Sequence, residues 1–241
     1  MKVSITFYIK VCFLNLTMFL TSMSHAQKTN NPNIILSISE ESELNFFEYE
    51  PGLKLKATLS SLNEVKNKFP EELMQSILAA RNQEWINYNT LGGEEKATKK
   101  EQSHFDKIIK MNKEKNYFEL QHKLTFELGG VLTCIVKFYF YQENEKLVSG
   151  AYLLQKVNDR WYKTSSSSLS ILPIIVMRMK SEVLSGIIYG DSEIEAIKEI
   201  RERTTTNGSL DLKKLEDEFA SWYSPEKDEA KIGAYKDPKS W

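Results

Sequence analysis

Between Tyr117 and Ser168 the chain alternates with unusual regularity. Phe118, Leu120, His122, Leu124, Phe126 and Leu128 occupy every second position, with Glu119, Gln121, Lys123, Thr125 and Glu127 between them. A two-residue period puts the first set on one face of a long strand. Gly129-Gly130 turns the chain into Val131–Tyr141, which is rich in β-branched and aromatic residues. The polar run Gln142-Glu143-Asn144-Glu145 leads into Leu147–Val157, and Asn158-Asp159 leads into Arg160–Ser166. Four consecutive strands joined by short polar turns predict an antiparallel meander.

Upstream, residues 44–59 alternate around Pro51-Gly52, which predicts a hairpin of two short strands. Leu53, Leu55, Ala57 and Leu59 face one way in its second arm, and Lys54, Lys56 and Thr58 the other. Ser61-Leu62-Asn63-Glu64 fits a capping box, and Pro70 suits the first turn of a helix. Met74, Leu78, Trp85 and Tyr88 recur at steps that predict one amphipathic helix over residues 70–88, ended by Gly92-Gly93. A charged helix over residues 97–112 follows, with Phe105, Ile108 and Ile109 as its apolar stripe. Lys96, Lys99 and Lys100 are offset there by Glu94, Glu95 and Glu101, which marks a solvated face rather than a basic patch.

Beyond the meander the period becomes helical. Residues 173–188 carry Val176, Met179, Val183 and Ile187 at helical spacing. The apolar stretch 171–177 is interrupted by Arg178, Lys180 and Glu182 too early to span a bilayer, so it reads as a helix packed on the sheet. Ser192-Glu193-Ile194-Glu195 opens a helix to about Arg203, residues 204–209 read as a loop, and Leu212, Leu215, Phe219 and Trp222 mark a last helix stopped near Pro225. The expected class is α+β: helices packed on a curved four-stranded antiparallel meander, with an N-terminal hairpin and a C-terminal helical extension. The segments are a roll-like domain over 27–168, the extension over 169–225 and a polar tail over 226–241.

The head of the chain adds an address. Lys2 and Lys10 precede an apolar run, Val11 to Met23, and Ser24-His25-Ala26 supplies small residues where a signal peptidase cleaves. Lys10 divides the apolar stretch into pieces too short to anchor, and Ile9-Lys10-Val11 before Cys12 is not a lipobox. The expectation is export, to the periplasm or beyond, after cleavage near Ala26, with no membrane span afterwards. The whole chain has a formal charge of −1. Loss of the head leaves it slightly more acidic, which argues against a nucleic-acid binder.

Candidate chemistry is sparse. Cleavage leaves Cys134 as the only cysteine, so no internal disulfide forms. Cys134 reads as a small buried hydrophobe, with a nucleophile or an intermolecular bridge as the other readings. His104 and His122 have no metal-site spacing, and no motif for a cofactor, a phosphate-binding loop or a nucleophile elbow is present. His122, on the apolar face between Leu120 and Leu124, is the candidate binding residue. It is a general base or ligand-orienting group if that face lines a cavity, and a core histidine otherwise.

The order of helices and strands, closing on the run Leu153 to Thr164 (LLQKVNDRWYKT), resembles the NTF2-like superfamily of cystatin-like α+β rolls over about residues 61–168. There, Trp161 would pack across the last strand pair and Asn158-Asp159 would supply positive φ values. The resemblance implies a cavity between sheet and helices. It chooses no function, because that superfamily spans enzymes, binders and interaction modules. Its enzymes commonly use an Asp-His pair, and no matching Asp can be placed here. The leading expectation is a non-catalytic binding or interaction module, with an envelope protein or a small apolar ligand as partner. The alternative is a small-molecule enzyme with His122 as base and Tyr139 or Tyr152 as donors. A third is a structural envelope component recruited through Tyr235 and Trp241.

Overall fold

The computed structural model describes residues 31–93, 99–142, 148–164, 167–169 and 171–222. The expected export signal (1–26), the polar tail (226–241) and the turn residues 143–147 lie outside the described residues. In chain order the elements are β1 (Asn33–Ser37), β2 (Glu40–Glu43), β3 (Asn45–Glu48), β4 (Lys54–Lys56), α1 (Pro70–Ala79), α2 (Gln83–Asn89), α3 (Lys99–Lys110) and β5 (Tyr117–Leu128). Then come β6 (Val131–Tyr141), β7 (Val148–Val157), β8 (Arg160–Thr164), α4 (Leu172–Arg178), α5 (Ser181–Tyr189), α6 (Glu195–Thr204), β9 (Thr205–Thr206), β10 (Ser209–Asp211) and α7 (Leu212–Trp222). The class is α+β, with two mostly antiparallel sheets. The larger has the order β3-β5-β6-β7-β8, with β4 also paired to β5, and the smaller has the order β2-β1-β10-β9.

One residue organises the molecule. The β5–β6 register runs Tyr117↔Tyr141 to Leu120↔Phe138, then resumes at His122↔Lys137, so Gln121 is an extra residue on β5. A one-residue slip sends every later side chain to the opposite face. Phe118 and Leu120 therefore join a core with Phe138, Phe140, Val136 and the helices α1, α2 and α3. Leu124 and Phe126 join a second core with Ile135, Leu153 and residues of α4, α5, α6 and α7. The alternation of β5 is unbroken in sequence, but its side chains do not share one face as the pattern predicted.

β6 is consequently buried on both sides. Cys134, Val136 and Phe138 face one core and Ile135 the other, which is why its sequence is a near-continuous apolar run. The segment after residue 168 is not an appended extension. Ile175, Leu184 and Phe219 share a core with Phe46, Leu124 and the first strand's Ile34.

Other expectations need correction. Among the described residues the larger sheet has six strands, because residues 44–59 form no separate hairpin and add β3 and β4 to it. β3 pairs with Lys123 to Thr125 and with His122, while β4 pairs with Tyr117 to Glu119. The two are successive pieces of one edge strand, and Pro51-Gly52 is an excursion between them: Tyr49 N–H donates to Gln121 O, and Leu120 N–H to Leu53 O. The capping box at Ser61 opens only a 3-10 turn, Leu62–Glu64. The expected helix over 70–88 breaks at Ala80, and Asn82 restarts it as α2 by accepting from Trp85 N–H at 2.9 Å. Tyr88 faces outward, with the Arg160 guanidinium stacked 3.6 Å from its ring centroid. The helix expected over 173–188 is also two, broken at Met179-Lys180. The stretch 204–209, expected as a loop, contributes β9 and β10, and β10 pairs in parallel with β1. The turn at Asn158 and Asp159 has φ of 50° and 61°, and Trp161 is buried beside it.

Candidate functional site

α3 is amphipathic, and Phe105 and Ile108 turn its apolar stripe into the core shared with α1. That orientation leaves His104 and Lys107, one turn apart, along its flank. Opposite them, β6 and β7 present Phe138, Phe140, Val148, Gly150 and Tyr152. Between helix and strands is a pocket of about 370 Å³, which β8 completes with Lys163 and α4 with Met177.

Its floor is aromatic. Phe138, Phe140 and Tyr152 line it, backed by the buried Phe118: the ring centroids of Phe118 and Phe138 are 4.4 Å apart, of Phe118 and Phe140 5.1 Å, and of Phe138 and Tyr152 4.8 Å. These tilted and edge-on arrangements are the favourable ones for aromatic rings. Gly150 pairs with Phe138 across the strands, and a Cβ there would lie 2.7 Å from Phe138 Cζ. The glycine is required by close approach, so that the ring can lie over bare backbone.

The polar groups are few and held in place. His104 Nε2 and Tyr152 Oη share a hydrogen bond of 2.5 Å, with the rings edge-on. Lys163 is 6% exposed on the inward face of β8, with its ammonium 5.4 Å from the Phe105 ring centroid. Lys107 is exposed at the end nearest solvent. An apolar cavity of this size with a few convergent polar groups has the general form of a small-molecule site.

His122, the residue singled out by sequence, is elsewhere. It is fully buried on the opposite face of the sheet. Its Nε2 lies 3.2 Å from Val176 O and its Nδ1 2.9 Å from Ser181 Oγ. A carbonyl can only accept, so Nε2 carries the proton and Nδ1 accepts from the Ser181 hydroxyl. Burial, reinforced by the nearby Lys137 ammonium, pushes the imidazole down to about 3. Lys137, its partner in register, donates to Met179 O. Together they secure the break between α4 and α5, where Val176 and Met179 present carbonyls to the sheet. His122 is a core histidine by geometry, and the pocket's histidine is His104. Nothing in the sequence distinguished the two, because the face assignment hangs on the bulge.

Cys134 is completely buried, and burial pushes its thiol up to about 12. Tyr49 O–H donates to Glu71, which also accepts from Lys123 at 2.7 Å, so a largely buried polar triad ties the residue after β3, and β5, to the first turn of α1. Burial, then the Glu71 charge, holds the Tyr49 phenol well above its usual range. A groove lined by Lys56, Arg81 and Lys113 lies at the far end of α1. There Lys113 donates to Leu78 O at 2.9 Å and to Ile108 O at 2.5 Å, and burial, then Arg81, pushes its ammonium down to about 8.

No group of three or more His, Cys, Asp or Glu side chains among the described residues is placed to hold a metal ion. No described helix is long and apolar enough to cross a membrane. No family model, curated protein or solved structure matches this chain.

Proposed function

We propose that this chain is an exported, non-catalytic binding module that holds a small, largely apolar molecule in the pocket between α3 and the sheet. The observation that carries the reading is the pocket wall: Phe138, Phe140, Val148, Ala151 and Met177 line an open pocket of about 370 Å³ whose surface is mainly apolar. Burying an apolar body against such a wall yields about 25 cal/mol per Å² removed from water, before the costs of association. Export rests on the basic and apolar head and on the small residues at Ser24 and Ala26. The likeness to NTF2-like rolls belongs with the same reading: helices precede four sequential strands, and the pocket lies between the last of those helices and the sheet.

The enzyme reading with His122 as base finds no support at that residue. Both its ring nitrogens are engaged, and it is closed off from solvent on the far side of the sheet from the pocket.

The test is titration with N-phenyl-1-naphthylamine, an uncharged dye that brightens in apolar sites. Saturable enhancement is expected for the native chain, and its loss in Val148→Trp, which fills the mouth from an exposed position. No enhancement, or equal enhancement in the two proteins, overturns the proposal.

A further inference from the structure

We infer that the occupant of this pocket is a flat aromatic molecule of one or two fused rings, which binds as a further member of the ring cluster that forms the floor. The inference rests on the binding reading above and specifies its ligand class.

The rings beneath the pocket pack in a herringbone. Phe118 and Phe138 are inclined at 42°, Phe118 and Phe140 at 76°, Phe118 and Tyr152 at 81°, and Phe138 and Tyr152 at 55°. None of these pairs is face to face. Aromatic rings take such angles because the positive edge of one meets the negative face of the next. Phe138, Phe140 and Tyr152 carry the pattern to the cavity, where it ends. A ring placed there continues it. A saturated body of equal size covers the same surface but has neither a π face nor a polarised edge to offer.

The floor is also preformed. Phe138 lies so close over the bare backbone of Gly150 that a Cβ there would be 2.7 Å from its Cζ. Tyr152 is held from its hydroxyl end by His104 at 2.5 Å. Rings fixed before the ligand arrives suit a rigid guest, because a fused ring system has few torsions to freeze and a flexible chain loses freedom at each of its own. Met177 of α4 lines the same cavity, and a thioether packs favourably against ring edges. At about 370 Å³ the pocket is near the lower end of the range for ligand sites, which suits a compact ring system better than an extended molecule.

Calorimetric titration of the native chain with 2-naphthol and with its saturated counterpart, decahydro-2-naphthol, isolates the contribution of the rings. The two share a carbon skeleton and a hydroxyl, and both are uncharged at pH 7. Removal of apolar surface alone would rank them alike. 2-Naphthol is expected to bind about three- to tenfold more tightly, the range by which ring–ring contact exceeds area burial. Phe140→Leu keeps the wall apolar and is expected to weaken 2-naphthol several-fold while changing decahydro-2-naphthol by less than about twofold. Met177→Leu, at a half-buried position, is expected to weaken 2-naphthol about twofold. If Phe140→Leu does not fold, the ligand pair and Met177→Leu decide. Equal binding of the two ligands, tighter binding of the saturated one, or a preference left intact by the substitutions overturns the aromatic assignment while leaving the pocket as a binding site. Binding of neither overturns the pocket reading and this inference with it.

Discussion

Phe138 lies across Gly150 on the neighbouring strand, close enough that any side chain at 150 would strike its ring. The ring cannot retreat freely, because it is also in contact with Phe118 and Tyr152. Gly150→Ala is expected to cost about 1–3 kcal/mol in urea unfolding, the usual range for overpacking a core. The same substitution should weaken dye binding, since Phe138 forms the floor of the pocket. An unchanged midpoint would mean that the ring has somewhere to go.

Acid should destabilise the protein through His122. In the folded state the imidazole stays neutral down to about pH 3, whereas in the unfolded chain it takes a proton near its ordinary value of about 6.5. The unfolded state therefore binds more protons across that window. Stability is complete above about pH 6.5 and falls by up to about 1.4 kcal/mol per pH unit toward pH 3. His122→Gln lowers stability at pH 7 but flattens this slope, which urea melts at pH 7, 5.5 and 4 will measure.

Gln121 matters as a residue in the count more than as a side chain. Gln121→Ala should shift stability by less than about 1 kcal/mol. Deleting Gln121 removes the bulge and sends one half of β5 to the wrong face, presenting either Phe118 and Leu120 or Leu124 and Phe126 to the opposite core. The deletion variant is expected to lose cooperative unfolding and near-ultraviolet circular dichroism.

The triad of Tyr49, Glu71 and Lys123 is a largely buried polar network, and breaking it from one side should be worse than removing it. Glu71→Gln leaves the Lys123 charge, whose side chain is 22% exposed, without its partner. A loss of about 2–4 kcal/mol is expected, somewhat under the usual cost of orphaning a fully buried charge. Glu71→Gln combined with Lys123→Met should recover part of that loss, giving a positive coupling in a double-mutant cycle.

Much of the framework was legible because local rules govern it. The strands from Tyr117 to Thr164 announce themselves through period two and through turn residues such as Gly129-Gly130 and Asn158-Asp159. The helices near Pro70, Lys99 and Leu212 are equally plain from their spacing. Helix breaks at Ala80 and Met179 were not legible, because no proline or glycine marks them. The interruption at Met179 is stabilised by Lys137, a residue distant in sequence. Strands β1, β2, β9 and β10 are short, and all but the apolar β1 are largely polar; they acquire their identity from one another, through the pairing of residues 34–35 with 210–211.

By itself, then, the sequence determined the α+β class and the run of long strands. Tertiary structure decided which side of the sheet each residue sees. Periodicity fixes how side chains alternate along a strand, but alternation is unaltered by a bulge, and only pairing with β6 reveals that Gln121 is surplus. That one residue placed His122 in a closed core between the sheet and the α4–α5 break. It left the opposite face, with Phe138, Tyr152, His104 and Lys163, to form the pocket.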